Sequence, residues 1–157
     1  MSDRKKDILI SSAFLHDIGY SIDEDSHNKY SQKLILKEGL SDFSEKETEI
    51  ISCICRYHRG DLPDKKEDKL YKDFDKDEKR TVKKLGGILR IADGLEDDEI
   101  GEIKDIKINY NEEDYITEIS IYTEEEITPD IKTIIRKKNL FEYGFRTQVV
   151  LKFRKLK

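Results

Sequence analysis

The apolar residues of this chain change their repeat near Gly101, and that change limits what it can fold into. Before Gly101 they recur at three- and four-residue spacing, the repeat of helices with one buried face. After it they alternate along stretches of strand length, as half-buried strands do. Both patterns in succession predict an α+β fold. An all-helical domain over residues 1–99 is followed by a small β-β-α-β domain over residues 100–157.

In the helical half, Ile8, Ala13, Phe14 and Leu15 lead into His16-Asp17 at the end of a first helix, with Gly19 marking the turn. Ser26 or Asn28 caps a second helix through Tyr30, Leu34, Ile35 and Leu36, which ends near Gly39. Ser44 with Glu47 has the form of a capping box. The helix it opens carries Ile50, Ile51, Ile54 and Tyr57 and delivers His58. The segment from Gly60 to Asp75, charged and containing Pro63, reads as a mobile surface loop. A fourth helix from about Lys76 to Leu95 repeats Val82, Leu85, Ile88, Leu89 and Ala92 on one face.

Beyond Gly101, Ile103, Ile106, Ile108 and Tyr110 form one strand, and a second alternates Ile119 and Ile121 with Ser120 and Tyr122. Pro129 opens a helix through Ile131, Ile134, Ile135 and Leu140, and a last strand runs from Phe145 to Phe153. The run Arg136-Lys137-Lys138 reads as charge at the end of that helix, where it favours the dipole. The tail is expected to cover the bundle or to build a dimer interface.

Charged residues make up 41% of the chain and apolar ones 36%, so the core must be concentrated in these periodic segments. No stretch approaches the ~20 apolar residues of a membrane span, and the N-terminus has no apolar signal core. Cys53 and Cys55, two apart, support no disulfide framework, so a reducing cytoplasm is the expected location. A net charge of −5 with both signs interspersed argues against a general nucleic-acid surface and leaves room for a local anion pocket.

The candidate chemistry lies in three histidines and their acidic neighbours. His16 precedes Asp17, His27 stands where a loop enters a helix, His58 ends the third helix, and Asp93 interrupts an apolar helix face. Divalent transition metals take imidazole nitrogen and carboxylate oxygen converging from several directions, which separate helix ends can supply. Asp93 is costly among apolar neighbours unless answered by Arg90, by Arg56 or by a metal. Two of the histidines also have an ordinary reading, His58 as a satisfied helix-end residue and His27 as a solvated one.

Leu15-His16-Asp17-Ile18-Gly19 resembles the signature of the His-Asp (HD) metal-dependent phosphohydrolases. Three further segments are Ser26-His27-Asn28-Lys29-Tyr30-Ser31, Arg56-Tyr57-His58-Arg59 and Leu89-Arg90-Ile91-Ala92-Asp93. They resemble the C-terminal region of exopolyphosphatases and guanosine pentaphosphate phosphohydrolases, and the tail is similar in layout to that family's last domain.

The resemblance implies His16, Asp17, His58 and Asp93 as ligands of one or two divalent metals (Mn, Fe, Zn, Ni or Mg), with His27 a further ligand and Asp17 the catalytic centre. It implies a phosphate ester or anhydride as substrate: a nucleotide, a guanosine polyphosphate or polyphosphate. A metal there would lower the pKa of its water toward neutrality. Lys29, Arg56, Arg59 and Arg90, next to these ligands in sequence, would neutralise phosphate, and each is otherwise ordinary helix-surface charge.

The chain departs from the pattern in places. No histidine precedes His16, where the superfamily has a further ligand on an earlier helix, and Asn28 and Tyr30 stand where the narrower family often has histidine. In exopolyphosphatases the phosphate chemistry belongs to N-terminal actin-like domains, and the helical region is an accessory part. Two expectations follow. One is a metal-dependent phosphohydrolase. The other is a non-catalytic module that binds phosphate ligands and pairs as a homodimer, or with a partner subunit that supplies the missing helix.

Overall fold

A computed structural model describes residues 1–64, 66–96, 100–127 and 131–156. Helices come first and a three-stranded sheet follows, the α+β order that the two apolar repeats predict. Helix α1 (Asp3–Leu15) is capped by the Ser2 hydroxyl, and a 3-10 turn over Ile18–Ser21 leads to α2 (His27–Glu38). Helix α3 (Glu45–Tyr57) begins with the expected capping box. Ser44 Oγ accepts from the Glu47 N–H at 3.2 Å, and Glu47 Oε2 accepts from the Ser44 N–H at 2.9 Å.

The segment read as a loop holds a helix of its own, α4 (Lys69–Asp73). The Asp68 carboxylate caps it by accepting from the Leu70 and Tyr71 N–H groups. Tyr71 and Phe74 anchor it in the core. One turn and a half is too short to show a period, so its stability comes from this burial. Helix α5 (Lys76–Leu95) follows, opened by a second capping box on Asp75 and Glu78.

Strands β1 (Ile103–Asn111) and β2 (Ile116–Thr123) form an antiparallel hairpin, with Ile106 opposite Ile121 and Ile108 opposite Ile119. Helix α6 (Ile131–Phe145) then returns the chain to β3 (Gln148–Lys155), parallel to β2, so β2 is central. Two expectations change. Phe145 closes α6 instead of opening the last strand, because Arg146 takes a left-handed backbone at φ 56°. Arg136, Lys137 and Lys138 consequently stand in the middle of α6, away from its last turn. Pro129 and the expected domain boundary at residue 99 lie outside the described residues.

Helix α6 lies along α5 and fastens the tail to the helical body. A methyl group on Gly87 would stand 2.6 Å from Phe141 Cα, and one on Gly144 would stand 2.8 Å from the Lys83 carbonyl oxygen. Only glycine permits that approach. Leu140 of α6 completes the core formed by Ile8, Ile35, Ile51, Ile54, Val82, Leu85 and Leu89. A second apolar cluster joins Ile91 and Leu95 of α5 to Ile119, Ile121 and Val149 of the sheet. Among the described residues no helix is long and apolar enough to cross a membrane.

Candidate metal centre

His16 and His58 each sit one residue past the end of a helix, at the caps of α1 and α3. Carbonyls in a last helical turn lack helical partners, and both rings reach back three residues to one. His16 Nδ1 is 2.7 Å from the Ala13 oxygen, and His58 Nδ1 is 2.6 Å from the Cys55 oxygen. His27, the first residue of α2, repeats the contact to the Glu24 oxygen at 2.7 Å. A carbonyl has no proton to give, so each Nδ1 is the donor, and in the neutral ring each Nε2 keeps a bare lone pair. Arg59 Nη1 also lies 3.2 Å from His27 Nδ1. A guanidinium only donates, so the shorter carbonyl bond decides the tautomer. Burial pushes the His58 ring down to about 4, so it is neutral at physiological pH.

The three bare nitrogens face one region. His27 Nε2 and His58 Nε2 are 3.1 Å apart. Asp17 Oδ1 is 3.1 Å from the first and 3.6 Å from the second, while Asp17 Oδ2 is 3.2 Å from His16 Nε2. Asp93 Oδ1 approaches His16 Nε2 from α5 at 3.7 Å. Ligand atoms of His16, Asp17 and His58 all lie within 4.8 Å of one another. Among the described residues, His16 Nε2 and Asp17 Oδ1 are buried without a hydrogen-bond partner. So many acceptors at these separations repel unless a cation stands among them, and nitrogen with carboxylate oxygen is the donor set that divalent transition metals take. These residues therefore fit a metal ion. The Asp93 carboxylate, with help from Asp17, raises the His16 ring against the effect of its burial, so a proton on His16 Nε2 competes with a cation for that place.

Packing of the His16-Asp17 turn against α2 brings the set together. A methyl group on Gly19 would stand 2.1 Å from the His27 carbonyl oxygen, so the turn closes on α2 only at glycine. Ser31 fastens it, accepting from the Gly19 N–H at 3.0 Å and donating to the His16 carbonyl at 2.6 Å.

A cleft of about 550 Å3 opens over the cluster, with Asp17, His27, His58 and Asp93 in its lining. Arg59 and Arg90, two of the four basic residues singled out in the sequence, line it as well. Arg90 donates to the Tyr57 carbonyl at 3.2 Å and to the Gly60 carbonyl at 2.6 Å, which fixes the chain on either side of His58. Lys29 and Arg56 line a neighbouring cavity of about 260 Å3. There Arg56 donates to Gln32 at 3.0 Å and stands 3.4 Å from Asp68. Each is two positions from a histidine, about 200° around a helix, whereas Arg90 is three positions from Asp93 and shares its face.

The counter-ion of Asp93 is neither Arg90 nor Arg56 but Lys137 of α6. Burial pushes the Asp93 carboxyl up. His16 and Lys137 together outweigh that and hold it well below the usual carboxylate range. Arg136 and Tyr20 also line the cleft, and the Tyr20 ring stacks on His27 with centroids 3.9 Å apart. Reading the tail on its own missed Arg136 and Lys137. The available signal was the apolar repeat Leu140, Phe141, Phe145, which carries α6 far enough to place both a full turn or more inside it.

A helical body whose helix ends converge on one polar cleft, with a small sheet fastened behind it, is the class of module that the fold and site define. The family model described as Ppx/GppA phosphatase, domain III, matches residues 1–137, and the chain belongs to the Ppx/GppA phosphatase family. The match runs from α1 to residue 137 in the first half of α6, so it covers the three histidines and ends at Lys137. No curated protein matches the chain.

Proposed function

We propose that this chain is a phosphohydrolase-like module of the His-Asp type. His16, Asp17, His58 and Asp93 hold a divalent metal, with His27 a further ligand, and the cleft above takes a phosphate ester or anhydride. The observation that carries this reading is the cluster of bare acceptors under a cleft rimmed by arginine and lysine. A divalent ion bound there supplies Lewis acidity and acidifies the water it holds. Asp17 turns its two oxygens to different imidazoles, so it can serve two cations as readily as one. Arg59 and Arg90 sit where they can neutralise a phosphoryl group.

Purified protein should contain manganese, iron, zinc, nickel or magnesium by plasma mass spectrometry, and Asp17→Ala should lose it. Equal metal content in both proteins overturns the ligand assignment. Release of inorganic phosphate from pyrophosphate, polyphosphate or guanosine polyphosphates, dependent on metal and stopped by chelator, establishes catalysis.

One observation favours the accessory reading. Asp93, the acid nearest His16 on α5, already carries the ammonium of Lys137, which competes with a metal for its charge. A module of that kind would bind metal and phosphate ligands without turnover. It would pair through the exposed apolar residues Ile10 and Phe14 of α1, the latter 82% exposed. Light scattering that finds a monomer at high concentration excludes this pairing.

A further inference from the structure

The tail helix reaches into the cleft at one place, through Arg136 and Lys137. Three observations there concern the tail helix and the charge of the cleft. First, Lys137 lies on the Asp93 oxygen that points away from His16: Oδ2 takes the ammonium while Oδ1 faces the imidazole. The carboxylate thus holds the lysine over the cleft with its other oxygen still turned to the donor set. Second, the path of the lysine stem is built into α5. A methyl group on Gly94 would stand 2.7 Å from Lys137 Cγ, so the stem crosses α5 at a position that carries no side chain. Third, the charge of the cleft opposes that of the chain. Its lining holds four basic residues, Arg59, Arg90, Arg136 and Lys137, against three acidic ones, in a chain of net charge −5. An acidic protein with a basic cleft concentrates anions at that one place.

We infer that α6 supplies an anion clamp, in which Lys137 (positioned by Asp93) and Arg136 grip a phosphoryl group together with Arg59 of the same cleft lining. An ammonium has three donors and Asp93 accepts one, so two remain for phosphate oxygens. Arg136, exposed on α6, offers a planar fork to the same group. The volume of about 550 Å3 suits a compact ligand with two or more phosphoryl groups, or a nucleotide. This assignment rests on the reading that metal and phosphate share the cleft, and it adds the residues that grip the anion.

The test uses inorganic pyrophosphate as probe and the full chain, with metal content and anion affinity measured separately. Isothermal titration follows pyrophosphate, with and without manganese, into wild type, Lys137→Met, Lys137→Arg and Arg136→Gln. Lys137→Met and Arg136→Gln should each weaken pyrophosphate about tenfold or more, the expected effect of losing one charge-assisted hydrogen bond. Metal content should not fall below the wild-type level, since losing the ammonium frees charge on Asp93, and Lys137→Arg should keep most of the affinity. A role confined to stapling α6 onto α5 would lower the melting temperature of Lys137→Met and leave Arg136→Gln, whose side chain is exposed, with wild-type affinity. That outcome, or affinities within twofold throughout, overturns the clamp and leaves the shared cleft standing. Wild type that binds metal but no pyrophosphate overturns both. Pyrophosphate binding without metal, lost in Arg136→Gln, keeps the clamp and removes the metal from the reading.

Discussion

His27 Nε2 and His58 Nε2 stand 3.1 Å apart, and the far nitrogen of each ring lies on a main-chain carbonyl, to which the neutral ring donates its one proton. Two lone pairs facing each other at that distance are a reservoir of repulsion that a cation relieves. Binding a divalent ion should therefore stabilise the fold. At a metal concentration a hundredfold above Kd the gain is ~2.7 kcal/mol, a rise of several degrees in Tm for a chain of this length. Thermal melts with added manganese or zinc against chelator check this. A melting temperature that metal leaves unmoved would falsify the site.

Acid should destabilise the metal-free protein through His58. Burial lowers this ring from 6.5 to about 4. A histidine with a depressed folded pKa binds its proton more readily when unfolded, so stability falls as pH drops from about 6.5 toward 4. At ~1.4 kcal/mol per pKa unit the loss across that window is about 3 kcal/mol. His16, raised by Asp93, works in the opposite sense, adding stability at low pH that is lost as pH rises through its folded pKa. Urea midpoints in chelator at pH 7 and pH 4.5 measure the sum. His58→Gln should flatten the fall, and an unchanged pH slope in that variant rules His58 out as its cause.

Gly87→Ala should destabilise, although alanine is the better helix former. The propensity gain is ~1 kcal/mol. The added methyl meets Phe141 Cα at 2.6 Å, a backbone atom that cannot turn aside, and overpacking of that kind costs about 1–3 kcal/mol. A lower urea midpoint is expected, with the near-ultraviolet signal of the tail changing first. A higher midpoint would mean that α5 and α6 separate without cost.

Ser31→Ala removes one acceptor and one donor at once, orphaning the Gly19 N–H and loosening the His16 carbonyl. Loss of these buried bonds costs about 1–3 kcal/mol. Because Ser31 ties the His16-Asp17 turn to α2, the variant should also bind metal more weakly. Unaltered metal affinity together with lowered stability would separate Ser31 from the site.

Much of the fold could be read from local pattern. Helix faces, the Ser44 box and the alternation of β2 are properties of residues within a few positions of each other, where steric and hydrogen-bond rules act directly. Helix α4 escaped because five residues show no period and are held by burial of Tyr71 and Phe74. Of the basic residues beside the histidines in sequence, Lys29 and Arg56 line the neighbouring cavity because adjacency along a helix carries a rotation of about 100° per step.

The sequence by itself determined most of the helices and strands, though not α4, and that three histidines and an aspartate sit at or beside helix ends. Only the tertiary structure decided which atoms meet. The partners that complete the cleft are distant in the chain: His27 from His58 by 31 residues and Asp93 from Lys137 by 44. Contacts of that span depend on how whole helices pack, through the bare surfaces of Gly19, Gly87 and Gly144, and packing is a collective property that no local repeat records.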